Sequence, residues 1–154
     1  MKTTIEKITE LESYVFKSPI SSHLPCDYLG IEKISLDDDF TRIDFVYIAP
    51  IKYINGGWIQ MNSSCYITRS SSFSSGIRYQ LIKAINIPIA PTKYCFRNSG
   101  VVHHYTLLFP PLPKNVKKID IVEKKGAENY FNFYGVVLSH KEPIFRIINE
   151  KLRK

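Results

Sequence analysis

Hydrophobic and polar side chains take turns along most of this chain, and the alternation stops at turn-forming residues. From Thr41 to Ala49, Ile43, Phe45 and Tyr47 fall on one side and Arg42 and Asp44 on the other. The same period of two puts Tyr105, Leu107 and Phe109 on one face over 101–109. It sets Ile119 and Ile121 against Lys118 and Asp120 over 117–123. Successive side chains of an extended backbone point to opposite faces, so these runs predict strands with one buried and one wetted face. Weaker alternation marks 29–36 (Leu29, Ile31, Lys33) and 77–84, where Ile77, Tyr79 and Leu81 oppose Arg78 and Gln80. Strands are also expected over 58–61, 65–69 and 130–138.

The punctuation agrees with that reading. Asp37-Asp38-Asp39 makes a polar turn, Pro50 ends a strand, and Asn55-Gly56-Gly57 tolerates the positive φ of a tight turn. Ser70–Gly76 reads as a flexible tip. Ile87-Pro88-Ile89-Ala90-Pro91 is too proline-dense for a central strand and must cross over, and Pro110–Pro113 rigidifies a second crossover between sheets. Seven or eight short strands with turn signals between them predict an all-β, immunoglobulin-like two-sheet antiparallel sandwich. Short helical segments are expected at the ends. Thr3–Phe16 has amphipathic spacing and a capping box at Thr3 and Glu6, with a strand as the alternative; Pro143 opens a C-terminal helix carrying Ile144, Ile148 and Leu152. Lys17–Asp27 reads as irregular linker. The expected organisation is an N-terminal segment (1–27), the sandwich (28–140) and a short basic tail (141–154).

One string of motifs has a family likeness. Gly57-Trp58-Ile59, Tyr66-Ile67, Tyr79-Gln80-Leu81, Ala84, Ile87-Pro88-Ile89, Pro91 and Tyr105-Thr106-Leu107 occur in order. Phe109-Pro110-Pro111-Leu112-Pro113-Lys114 and Ile119-Asp120-Ile121-Val122-Glu123 follow. Together they resemble an uncharacterised immunoglobulin-like (telokin-like) β-sandwich domain family of Bacteroidetes proteins, over about residues 40–138. The resemblance implies a fold, and carries no activity onto any residue.

Charge narrows the partners. The 154 residues carry a formal +7, unevenly placed. Residues 1–40 hold four lysines against eight acids, 41–113 hold seven basic residues against Asp44 alone, and 114–154 hold ten basic against five acidic. A basic body attracts anions, but only Lys117-Lys118 and Lys124-Lys125 are adjacent before the tail, so nucleic acid is disfavoured. Protein is the expected partner, with self-association and a glycan as the alternatives. No apolar run reaches the roughly 20 residues of a spanning helix. The start lacks a signal-peptide core, which reads as cytoplasmic, or as exported if a leader has been trimmed away. Cys26, Cys65 and Cys95 form no CxxC pair and are expected to be mostly buried thiols. Their disulfide state stays open.

Reactive constellations are hard to find. His103 and His104 are neighbours on a strand and so point to opposite faces, one at the core edge and one outward. Asp37–Asp39 lacks the glycine and closing glutamate of a calcium loop. No serine sits in GxSxG, no cysteine adjoins a histidine, and no glycine-rich phosphate loop occurs. The chain reads as non-catalytic, with no cofactor and no metal site: an interaction or structural module, or alternatively a glycan- or polyanion-binding module using surface Tyr and Lys/Arg. The expected contact residues are Tyr53, Tyr66, Arg69, Arg78, Tyr94 and Arg97. Trp58, after its glycine pair, is expected in the core.

Overall fold

The computed structural model describes residues 14–17, 20–23, 28–70, 76–125 and 131–138. In chain order the strands are β1 (Tyr14–Lys17), β2 (Ile20–His23), β3 (Leu29–Leu36), β4 (Thr41–Ile48), β5 (Trp58–Ile59) and β6 (Tyr66–Arg69). There follow β7 (Arg78–Gln80), β8 (Lys83–Ile85), β9 (Tyr94–Cys95), β10 (Val102–Phe109), β11 (Lys118–Val122) and β12 (Phe133–Val137). One sheet has the order β1-β3-β4-β10-β8 and the other β2-β12-β11-β6-β7, while β5 and β9 form a separate ribbon. Every strand pairing is antiparallel. The all-β sandwich expected from the alternation is what the chain forms.

The central pair explains why. In the β4–β10 register Phe45 faces Tyr105, Ile43 faces Leu107 and Thr41 faces Phe109. Directly opposite residues project from the same face, so both apolar stripes enter the core together. All six are buried. The Phe45 and Tyr105 rings stack at 4.8 Å, and Phe45 meets Phe133 of the second sheet at 5.7 Å. Ile67, Ile119, Ile121 and Val136 complete the interior from that sheet. Each such side chain, moved from water, favours folding by about 1.5–3 kcal/mol.

Strict alternation fails at two instructive places. In β3 the register slips between Ile31 and Lys33, so Leu29 and Ile31 face inward and then Ile34 and Leu36 do, with Lys33 turned outward. An extra residue reverses the parity of a strand, and this one rescues the apolar set after Glu32. The expected single strand over 77–84 is instead two. Leu81 N donates to Cys65 O in the second sheet and Ile82 N donates to Leu108 O in the first, at 2.9 and 2.8 Å. The chain changes sheets between those two residues. Ile77, which the pattern put inside, lies just before β7 and is exposed.

Other expectations are corrected as follows. Twelve strands occur among the described residues, because short pairings at the edges add to the seven or eight legible ones. Tyr14–Lys17 takes up the strand that was the alternative to a helix end, pairing with β3, and Ile20–His23 is a strand where irregular linker was expected, its ladder coming from the distant β12. The only helical turn among the described residues is a 3-10 turn at Ile54–Gly56. Residues 1–13 and 139–154, with the expected terminal helices, lie outside the described residues. One crossover reading holds: Pro110–Val116 carries the chain from β10 to β11, anchored by Leu112 and Val116 in the core and by Thr41 Oγ1 donating to Pro110 O. Ile87–Pro91, the other expected crossover, instead lies in the excursion between β8 and β10, which pair in one sheet, and bridges Met61 through Ile89.

Candidate interaction site

Three connections gather at one end of the sandwich: 49–65 after β4, 86–101 after β8, and the described ends, 123–125 and 131–132, of the connection after β11. Backbone hydrogen bonds lock the first two together. Met61 N donates to Pro88 O at 2.8 Å, Ala90 N to Met61 O at 2.9 Å, Phe96 N to Gly57 O at 2.9 Å and Gly100 N to Ala49 O at 2.7 Å. In the ribbon, Trp58 lies opposite Cys95 and Ile59 opposite Tyr94. The Asn55-Gly56-Gly57 turn was legible from sequence, and its backbone explains it. Asn55, Gly56 and Gly57 have φ of 56°, 88° and 74°. A Cβ on Gly56 would sit 2.7 Å from Ala49 Cβ and 2.9 Å from Asn98 O, so only glycine lets the two connections close.

Beneath the ribbon lies an aromatic plug. Tyr47 stacks with Phe96 at 5.6 Å, meets Phe131 at 5.6 Å and takes Tyr28 edge-on at 5.4 Å. His103 sits against Tyr94 at 4.7 Å and against Phe96 at 5.7 Å. Its Nε2 is 2.7 Å from Asn86 O. A carbonyl only accepts, so Nε2 carries the proton. His104 points the other way and donates from Nδ1 to Glu32 at 3.0 Å on the exposed face. The opposite-face reading of the histidine pair is what the strand shows.

The third connection is tied in by a buried carboxylate. Glu123 is 4% exposed; its Oε2 accepts from Asn62 N at 3.0 Å and its Oε1 from Phe131 N at 2.8 Å. Asn132 Oδ1 accepts from the backbone of Glu123 and Lys124, at 2.7 and 3.1 Å, and its Nδ2 donates to Lys124 O. Burial pushes the Glu123 carboxyl above its ordinary range, while the Phe131 and Asn62 N–H groups pull it back. Burial, and secondarily the Glu123 charge, pushes the Cys65 thiol far up. Cys65 is therefore an inert core thiol, as expected, whereas Cys95 is exposed. Cys26 lies outside the described residues.

Above the plug the surface is apolar, aromatic and basic. Ile51 is 88% exposed and Ile54 90%, and Tyr53 and Trp58 are half-exposed beside them. Trp58 is thus no core residue: β5 pairs only with β9, on the outside, and joins neither main sheet. Lys93 Nζ lies 4.3 Å from the centre of the Trp58 ring, and Lys52 Nζ lies 5.1 Å from Tyr53 and 5.8 Å from Tyr28. Ile48 and Val102, paired on the outer face of β4 and β10, continue the apolar rim.

Of the six contact residues expected, the fold brings Tyr53, Tyr94 and Arg97 to this end, all exposed. Tyr66, Arg69 and Arg78 go elsewhere, to β6 and β7. Tyr66 is 7% exposed beneath the Arg78 guanidinium, 4.3 Å from its ring, so it is not the open surface tyrosine that was expected. Arg69 reaches Asn115 at 3.3 Å. Ile51, Lys52, Ile54, Trp58 and Lys93 were missed. The available signal was an absence: no acid occurs between Asp44 and Asp120, while nine basic residues do.

Among the described residues no three His, Cys, Asp or Glu side chains converge as metal ligands, and no helix is long and apolar enough to cross a membrane. Asp37 serves its turn, accepting from Asp39 N and Phe40 N at 2.8 Å each. No protein-family model matches the chain, and no curated protein or solved structure matches it either.

Proposed function

We propose that this protein is a non-catalytic interaction module that meets its partner through the 49–58 and 93–102 end of the sandwich. The observation that carries this is the pairing of Trp58 with Lys93 on a ribbon held outside both sheets, next to two bare isoleucines. Large apolar side chains left in water cost solubility unless something covers them. We also propose that the sandwich is immunoglobulin-like and akin to the telokin-like family of Bacteroidetes proteins. In support, β3-β4-β10-β8 and β12-β11-β6-β7 have the strand order of the A-B-E-D and G-F-C-C′ sheets of that fold. In that plan the β4–β6 and β11–β12 connections correspond to B–C and F–G, two of the antibody binding loops, and the β8–β10 connection to D–E at the same end.

Trp58 is the only tryptophan, so its emission reports directly on the site. Titration with anionic surfaces, sulfated glycans and soluble polyanions is expected to give a saturable change with at least one class. A spectrum indifferent to all of them, or ester, peptide or glycoside turnover abolished by a single substitution, would overturn the reading. The glycan alternative draws on the same aromatic and basic residues. It is weakened by the Lys93 ammonium over the Trp58 ring, since a sugar stacking there must displace it.

A further inference from the structure

We infer that the occupant of this end is an anionic lipid surface, on which the protein docks peripherally without spanning it; this rests on the interaction-module reading above. Three observations select a bilayer over a soluble polyanion or a sugar.

The first is Ile51 and Ile54. They are the most exposed large apolar side chains among the described residues, three positions apart on one tight loop. Phosphates and sulfates gain nothing from isoleucine, and a sugar needs a ring face. Acyl chains gain from both side chains.

The second is the ring of amphipathic groups behind them. Tyr53 and Trp58 are half-exposed, each with a lysine ammonium against its ring. Tyr and Trp belong at headgroup depth, where one end of the ring is dry and the other wet. Lysines 52 and 93 stand where lipid phosphates would be, and Arg97 adds a third cation on the ribbon side. These long stems can lie along the apolar surface and still present their charge at the headgroups.

The third is charge complementarity. Among the described residues of the three connections the sole carboxylate is Glu123, and it is turned inward to bond Asn62 and Phe131. Over those described residues the end presents cations and apolar groups with no exposed acid, which suits a negatively charged leaflet. The Gly56 closure against Ala49 and Asn98 holds the tip in one shape, so docking needs no ordering of the loop.

The test is co-sedimentation of the full chain with mixed phosphatidylcholine–phosphatidylserine vesicles and with pure phosphatidylcholine vesicles, reading Trp58 emission in parallel. The expected result is association with the mixed vesicles, weakened by salt, with Trp58 emission shifted to the blue. Replacing Ile51→Ser and Ile54→Ser together should weaken it by about tenfold per side chain. Lys52→Gln should weaken it about fivefold. Because both isoleucines are in water, circular dichroism melting of the double variant should match the parent. Failure to sediment with mixed vesicles, equal binding to neutral ones, or undiminished binding by the double variant overturns the proposal. A Trp58 response to soluble heparin with none to vesicles overturns the bilayer as occupant but leaves the interaction-module reading standing.

Discussion

Glu123 shows how one side chain can be indispensable to shape without being a reactive centre. It bridges the connection after β4 to the one after β11 through two backbone N–H donors. Glu123→Ala would strand both donors, and two orphaned buried N–H groups cost about 2–4 kcal/mol, readable as a fall in denaturation midpoint. Its pH behaviour follows from burial. The folded state holds the Glu123 proton at higher pH than the unfolded chain, whose carboxyl titrates near 4.5. From that value up through the raised one, the native state binds more protons, so unfolding free energy declines as pH rises. Urea titrations across that window should show this slope in the parent and lose it in Glu123→Gln. The cysteines give a second check at this scale. In a Cys26→Ser chain, a thiol reagent should modify Cys95 at once and Cys65 only after denaturant is added, because Cys65 is enclosed and held protonated.

Elements differ in how openly the chain announces them, and the differences have physical causes. The strands at 41–48, 102–109 and 118–122 were legible because each has one buried face, and burial imposes a period of two. β3 was half legible: its bulge resets the parity, and nothing local to Glu32 or Lys33 declares an extra residue. β2 was hidden because its pairing partner lies near the other end of the chain, and β1 because its apolar spacing suited a helix as well as a strand. Trp58 was misplaced because a turn followed by an aromatic reads the same whether the strand joins a main sheet or a separate ribbon. The Asn55–Gly57 turn was read correctly, and it can be tested as an element. Gly56→Ala meets both a positive φ and two backbone or Cβ contacts under 3.0 Å, so it should cost about 1–3 kcal/mol and lower the melting temperature. His104→Ala, by contrast, removes only an exposed hydrogen bond to Glu32 and should change stability by under about 0.5 kcal/mol.

At the scale of the molecule, half of the expected contact set was found together and half was dispersed, because fold topology rather than residue type decides which surface residues become neighbours. Tyr53, Tyr94 and Arg97 converge since the β4–β6 and β8–β10 connections end at the same pole; Tyr66 and Arg69 belong to β6 and Arg78 to the edge strand β7. Charge was legible as asymmetry but not as a patch. Its lone outer-face acid in the long basic stretch, Asp44, is already engaged by Arg42 and Thr106 at 3.0 and 2.6 Å and lies 3.6 Å from Lys33. The positive potential elsewhere is therefore left uncancelled over that stretch.

The change of sheets between Leu81 and Ile82 reaches furthest. Two neighbouring amides are committed to opposite layers, one to Cys65 O and the next to Leu108 O. Neither layer can swell away from the other without breaking this stitch, so the layers are expected to open as one cooperative unit. In native-state deuterium exchange, the Leu81 and Ile82 amides should show the same protection and the same dependence on added denaturant, as two strokes of a single latch.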